Sequence, residues 1–158
     1  FTYCDRDIEL GEQLTGGRVY IPCVNLMRMF LDAAKKIKQG RNAVAIMVEE
    51  ACIYLEVPGW KSLEDFFTND AFRFRKCVNN SGRTVARCRP KIPTGWRASM
   101  TVDLDTTLMD VPTFLQILEI AGSRIGLGDW RPGAPKVPGT FGRFVVETVN
   151  GKAFYDEQ

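Results

Sequence analysis

The sequence predicts an α+β fold. Three observations carry that prediction: two amphipathic stretches with helix-like ends, several period-two stretches rich in β-branched and aromatic residues, and turn dipeptides between them. At 158 residues, 45% apolar and 25% charged, the chain suits one soluble domain spanning residues 1–158.

Residues 1–16 have weak periodicity and are expected to form an arm or an irregular edge. Arg18-Val19-Tyr20-Ile21 reads as a short strand stopped by Pro22. From Val24 the period becomes helical. Val24, Met27, Leu31 and Ala34, with Phe30 and Ile37 alongside, fall on one stripe; Lys35, Lys36 and Lys38 take the other side, and Gly40 supplies the stop. Ala43 to Val57 predicts one or two strands, with Glu49-Glu50 as a turn or bulge between them. Ser62-Leu63-Glu64-Asp65 resembles a helix N-terminus whose serine oxygen accepts a backbone N–H.

Phe72-Arg73-Phe74-Arg75 alternates strictly, Asn79-Asn80-Ser81-Gly82 is turn chemistry, and Arg83 to Arg89 alternates again, so residues 71–91 read as a basic β-hairpin. Whether Arg73 and Arg75 share a face with Arg87 and Arg89 depends on loop length, because a one-residue slip sends every side chain to the opposite side. Trp96, Ala98, Met100, Val102 and Leu104 alternate with polar residues and predict a half-buried strand. Asp110 caps a helix through Ala121, with Pro112 in its first turn, Val111, Phe114, Leu115, Leu118 and Ala121 on one stripe and Gly122 as terminator. A Gly/Pro-rich loop, 123–143, follows; Phe144 to Val149 and Lys152 to Tyr155 then flank the hairpin dipeptide Asn150-Gly151. This order favours a ferredoxin-like (RNA-recognition-like) antiparallel sheet with helices on one face and the basic hairpin projecting.

The chain has no histidine, which removes the commonest general base and the His-dependent nucleophile dyads. Its five cysteines (Cys4, Cys23, Cys52, Cys77, Cys88) form no C-x-x-C pair and are expected as buried thiols in a reducing compartment. No apolar run nears the ~20 residues of a membrane span and no basic-then-apolar leader is seen, so a soluble cytoplasmic protein is expected. No cofactor or metal is expected.

Net charge is only +2, but its placement is uneven. From Ala71 to Val102 stand eight cations (Arg73, Arg75, Lys76, Arg83, Arg87, Arg89, Lys91, Arg97) and no acid. Arg124, Arg131, Lys136 and Arg143 form a second basic group relieved only by Asp129. A face of this kind attracts polyanions. The loop from Gly126 to Phe144 is neither a dinucleotide fingerprint nor a Walker loop, since a helix precedes it, a strand follows it and Gly-Lys-Ser/Thr is absent. Its glycines could let a phosphate reach backbone N–H groups and Trp130 could stack a base; equally, Gly and Pro could hold the loop's shape with Trp130 over the core edge.

Gly126-x-Gly128, a basic stretch, and Gly139-x-Phe141-Gly142 leading into a strand resembles the glycine-rich loop of the RAMP proteins of CRISPR effector complexes. Tyr20-Ile21-Pro22-Cys23-Val24-Asn25-Leu26-Met27-Arg28 is similar to the strand-to-helix step of their backbone subunits, without the small-residue and Lys-Gly part of that step. The Arg89-Pro90 to Trp96 stretch and Gly-Asp-Trp-Arg-Pro also look similar to small phage-encoded proteins. The RAMP resemblance implies an RNA-recognition-type fold that grips single-stranded nucleic acid by its backbone, often in head-to-tail assemblies.

The expected function is therefore non-catalytic binding of single-stranded RNA or DNA, as a homo-oligomer or a subunit of a larger complex. Arg73, Arg75, Lys76, Arg87, Arg89, Lys91, Arg97, Arg124, Arg131, Lys136 and Arg143 would contact phosphate and Trp130 would stack. One alternative is a protein-binding or assembly module, such as a phage accessory or anti-defence protein, whose hairpin faces an acidic partner. Another is a metal-dependent phosphoryl-transfer enzyme using Asp103 and Asp105, although two acids at a strand end are more often turn and solvent residues.

Overall fold

Residues 3–4, 17–80 and 82–154 are described by the structure, a computed structural model. In chain order the elements are β1 (Tyr3–Cys4), β2 (Val19–Pro22), α1 (Cys23–Lys36), a 3-10 turn (Asn42–Ala45), β3 (Ile46–Val48), β4 (Cys52–Glu56), α2 (Asp65–Thr68) and a second 3-10 turn (Asp70–Phe72). They continue with β5 (Arg73–Asn80), β6 (Arg83–Pro90), β7 (Arg97–Ala98), β8 (Val102–Leu104), α3 (Val111–Ile120), a π-helical turn (Ala121–Ile125), β9 (Thr148–Val149) and β10 (Lys152–Ala153). The fold is mixed helix and sheet, as the α+β reading requires. Its strands form a four-stranded sheet, β1-β2-β4-β7, and three antiparallel pairs, β3–β8, β5–β6 and β9–β10. Apart from the Tyr3–Cys4 strand, the expected N-terminal arm lies outside the described residues, as does Tyr155.

The chain divides into two compact units, each discontinuous in sequence. One holds Pro22–Ala51 and the residues from Met100 on; the other holds the described residues before Pro22 together with Cys52–Ser99. That division breaks the strand predicted from Trp96 to Leu104: β7 pairs with β4 in the second unit, whereas β8 pairs with β3 in the first. Alternation in sequence marked a half-buried ribbon but carried no information on its partners.

In the first unit α1 buries Leu26, Met29, Phe30, Ala33 and Ala34. This i, i+3, i+4, i+7, i+8 set is rotated from the expected Val24-Met27-Leu31 stripe, and Val24 is 66% exposed. The cause is packing: Ala33 and Ala34 let α1 approach closely, and α1 packs on both α3 and β3. Phe30 meets Phe114 of α3 at 6.2 Å between centroids. Lys38, at φ 63°, takes the left-handed position that ends α1, and Gln39 N–H returns to Ala34 O at 2.9 Å. Gly40 is therefore not the stop.

Asp110 caps α3 as its position predicts, accepting the Thr113 N–H at 3.0 Å. Gly122 does not terminate this helix. The chain continues through the π turn to Gly126, and glycine is required at 122 because a Cβ there would overlap the Phe144 carbonyl oxygen. Asn150 and Gly151, both at positive φ, make the tight turn joining β9 to β10, while residues 144–147 are not strand.

In the second unit Val19 and Ile21 of β2 and Ile53 of β4 are buried under the sheet. Tyr20 and Tyr54 lie 6.0 Å apart, with the Arg18 guanidinium 3.7 Å over the Tyr54 ring. The α2 start also differs from expectation: Ser62 is not the cap, and Asp65 reaches back to accept the Lys61 and Ser62 N–H groups at 2.8 and 3.1 Å. An aromatic cluster anchors the basic hairpin. Trp60 lies 4.6 Å from Phe66 and 5.7 Å from Phe72, and Phe72, one residue before β5, is buried.

Candidate nucleic-acid interface

The hairpin expected at 71–91 is present. Its ladder runs from Arg73↔Pro90 to Asn80↔Arg83, and Lys91 N–H extends it by donating to Phe72 O at 2.8 Å. Cross-strand partners share a face, so the pairing decides what the sequence left open. Lys76, Arg83, Arg87 and Arg89 lie on one face with Phe74; Arg73 and Arg75 lie on the other with Cys77 and Cys88. The arginines of the two strands are on opposite sides of the ribbon.

The two faces differ electrostatically. Asp70, three residues before Arg73, sits 3.6 Å from both the Arg73 Nη1 and the Arg75 Nη2. The Arg73 side chain is only 22% exposed and its Nε is buried without a hydrogen-bond partner. None of the hairpin's own positions on the opposite face is an acid, and Lys76 stands directly across from Arg87. Like charges placed opposite each other on a ladder repel, so this face gains when an anion covers it. Every described residue of β6 is exposed.

The cysteine expectation fails here. Cys77 and Cys88 are exposed and Cys23 and Cys52 are half-buried, because the ribbon projects its residues into solvent instead of covering a core.

Arg97 is exposed on β7 opposite Glu56, and Lys91 is half-buried. These and the hairpin cations belong to the second unit, whereas Arg124, Trp130, Arg131, Lys136 and Arg143 belong to the first.

In the Gly/Pro-rich loop several backbone donors are used internally. Leu127 N–H bonds Gly142 O, Gly133 N–H bonds Ile125 O, Gly139 N–H bonds Arg131 O and Phe141 N–H bonds Trp130 O, all at 2.9–3.1 Å. Gly139 and Gly142 are needed because a Cβ would overlap the Trp130 and Leu127 carbonyl oxygens respectively. Trp130 packs 6.2 Å from Phe141, and the Arg131 Nη1 donates to Gly128 O at 3.1 Å. Gly139 and Gly142 thus bring loop backbone against loop backbone, and Trp130 stands against Phe141 of the same loop. Arg124, Lys136 and Arg143 are exposed.

The acids considered for metal chemistry have local roles. Asp105 accepts from the Thr107 hydroxyl at 2.6 Å and from its N–H at 2.9 Å, which hold its carboxyl below the ordinary carboxylate range. Asp103 is exposed on β8 opposite Met47. Among the described residues no group of three His, Cys, Asp or Glu side chains could hold a metal ion, and no helix is long and apolar enough to cross a membrane.

Sequence reasoning missed Asp70 as the shared partner of two site arginines, although its i, i+3 spacing to Arg73 was a visible signal. It also left Arg83 out of the contact set. Comparison with family models, curated proteins and solved structures gives no match.

Proposed function

We propose that the chain is a non-catalytic nucleic-acid-binding protein that grips the phosphate backbone of single-stranded RNA or DNA, with the β5–β6 hairpin as its main contact. The observation that carries this reading is that the register gathers Lys76, Arg83, Arg87 and Arg89 on one hairpin face, with Phe74 among them. Cations that repel one another when uncovered, beside an aromatic ring, are the composition that tracks a strand by phosphate contact and stacking. Absence of histidine and the turn role of Asp105 favour binding without cleavage. The finer fold reading, ferredoxin-like and akin to the RAMP proteins, goes with this proposal; it is supported by the antiparallel β3–β8 pair, on whose β3 strand α1 packs, and by the packing of α1 on α3. A cytoplasmic location and assembly into oligomers along the strand belong to the same proposal.

Fluorescence anisotropy with labelled 20-mer oligo-U and oligo-dT tests it. Expected is binding at 50 mM salt that weakens as salt rises, with a log–log slope of about −0.7 per neutralised phosphate. No binding to either oligomer at 50 mM salt ends the proposal.

A second reading is favoured by one feature: among the described residues β5 and β6 pair only with each other, leaving two strand edges open to another chain. On that reading the hairpin is an assembly element. Light scattering that finds a salt-resistant oligomer indifferent to oligonucleotides would select it.

A further inference from the structure

The hairpin face turned away from Lys76 carries two thiols that phosphate binding does not use. Cys77 and Cys88 are both exposed. The pairing Arg75↔Cys88 and Cys77↔Ala86 puts them on one face, diagonal to each other, with Arg75 directly across from one and two residues from the other. Arg73 lies further along the same face, toward the hairpin root.

Charge and distance decide what such a pair takes. A metal cation is disfavoured by the flanking guanidiniums and by the absence of a third ligand among the described residues. A bond between the two sulfurs is disfavoured by geometry: diagonal positions on an antiparallel ladder stand about 7–8 Å apart, while a disulfide needs Cα atoms within about 6.8 Å. What remains is attack on a soluble reagent; two guanidiniums against the single Asp70 carboxylate they share leave a net positive charge beside the thiols, which favours an anionic one.

We infer that Cys77 and Cys88 form a modification site for anionic low-molecular-weight disulfides. In each event a protein thiolate attacks one sulfur of the reagent. A protein–reagent S–S bond forms, the reagent's own S–S bond breaks, and its other half leaves as a thiolate. The protein thiol is oxidised, half of the reagent is reduced, and the thiol proton passes to solvent. This inference goes beyond nucleic-acid binding and does not require it. One consequence rests on that reading: an anionic adduct within a Debye length, about 8 Å, of the bound strand weakens its attachment.

The test treats the reduced, folded chain with oxidised glutathione or with the cationic disulfide cystamine, at equal concentration and 20 mM salt, and follows adducts by intact mass and peptide mapping. Expected is first modification at Cys77 and Cys88, about tenfold faster with the anionic reagent. The preference should shrink at 0.5 M salt and in Arg75→Gln. Equal rates for the two reagents, first adducts at any other cysteine, or an internal Cys77–Cys88 bond without adduct overturns the inference. Oligonucleotide affinity of the doubly modified chain is read separately: unchanged affinity removes the consequence for binding but leaves the modification site standing.

Discussion

The β5–β6 hairpin and the 126–143 loop are both basic, and both were expected to hold phosphate, yet they spend their backbone differently. In the hairpin, cross-strand pairing fixes alternate side chains on opposite faces and leaves the cations outside. In the loop, glycine is used to bring backbone against backbone, and Trp130 and Arg131 are turned to partners inside the loop itself. A count of positive charges does not separate these cases. What separates them is whether the local backbone presents its side chains or closes on its own donors.

The largest expected effects test how each region is held. Phe72→Ala removes the buried ring at the hairpin root and should cost about 3–5 kcal/mol by urea denaturation; a loss below about 1 kcal/mol would mean that the hairpin does not depend on the Trp60–Phe66–Phe72 cluster. Gly142→Ala, at φ +68° and against the Leu127 carbonyl, should cost about 2 kcal/mol or more. Gly128→Ala, at φ +77° but with open space around it, should cost only about 1 kcal/mol.

Binding should divide the two regions as sharply. Arg83→Glu with Arg87→Glu should weaken oligonucleotide affinity about a hundredfold at 50 mM salt and lower the salt slope, whereas Lys136→Gln with Arg143→Gln should stay within about threefold. Equal losses from the two double variants would break the comparison.

What the sequence made legible was local. The Asp110 cap and the Asn150-Gly151 turn depend on a few adjacent residues, and both are where the sequence predicts them. The hairpin was legible for the same reason, but its facing was not: the Asn80↔Arg83 pairing sets the parity, and Asn-Asn-Ser-Gly allows more than one loop length. The buried face of α1 was missed because Ala33 and Ala34, both fully buried, add little hydropathy while permitting the closest packing. Gly122 looks like a stop in sequence because steric demand from Phe144, 22 residues later, leaves no mark in local sequence.

Acid should affect the two units unequally. Glu50 is held below its ordinary range by the N–H of Thr101, Asp105 by the hydroxyl and N–H of Thr107, and Asp110 by Thr113, all in the first unit; Asp65, bonded to the Lys61 and Ser62 N–H groups, is the counterpart in the second. A carboxyl lowered on folding stabilises the native state above its unfolded pKa and loses that contribution as pH falls through the folded one. Stability should therefore hold at neutral pH and decline below about pH 4, with amide exchange rising around Asp105 and Asp110 before it rises in the hairpin. Exchange rising first in the hairpin would contradict this order.

The smallest expected effect asks whether both hairpin faces bind. Asp70 is 84% exposed and is shared by Arg73 and Arg75, so Asp70→Asn should change stability by no more than about 0.5 kcal/mol. It releases two guanidiniums on the face opposite Lys76. If a strand wraps the ribbon, affinity should rise about two- to threefold at 50 mM salt and the salt slope should steepen. If affinity and slope are unchanged while the charge reversal at Arg83 and Arg87 still weakens binding about a hundredfold, the strand lies on the Lys76 face alone. The Arg75 face is then held by Asp70 as a structural pair, and its two thiols are left accessible while the opposite face is occupied.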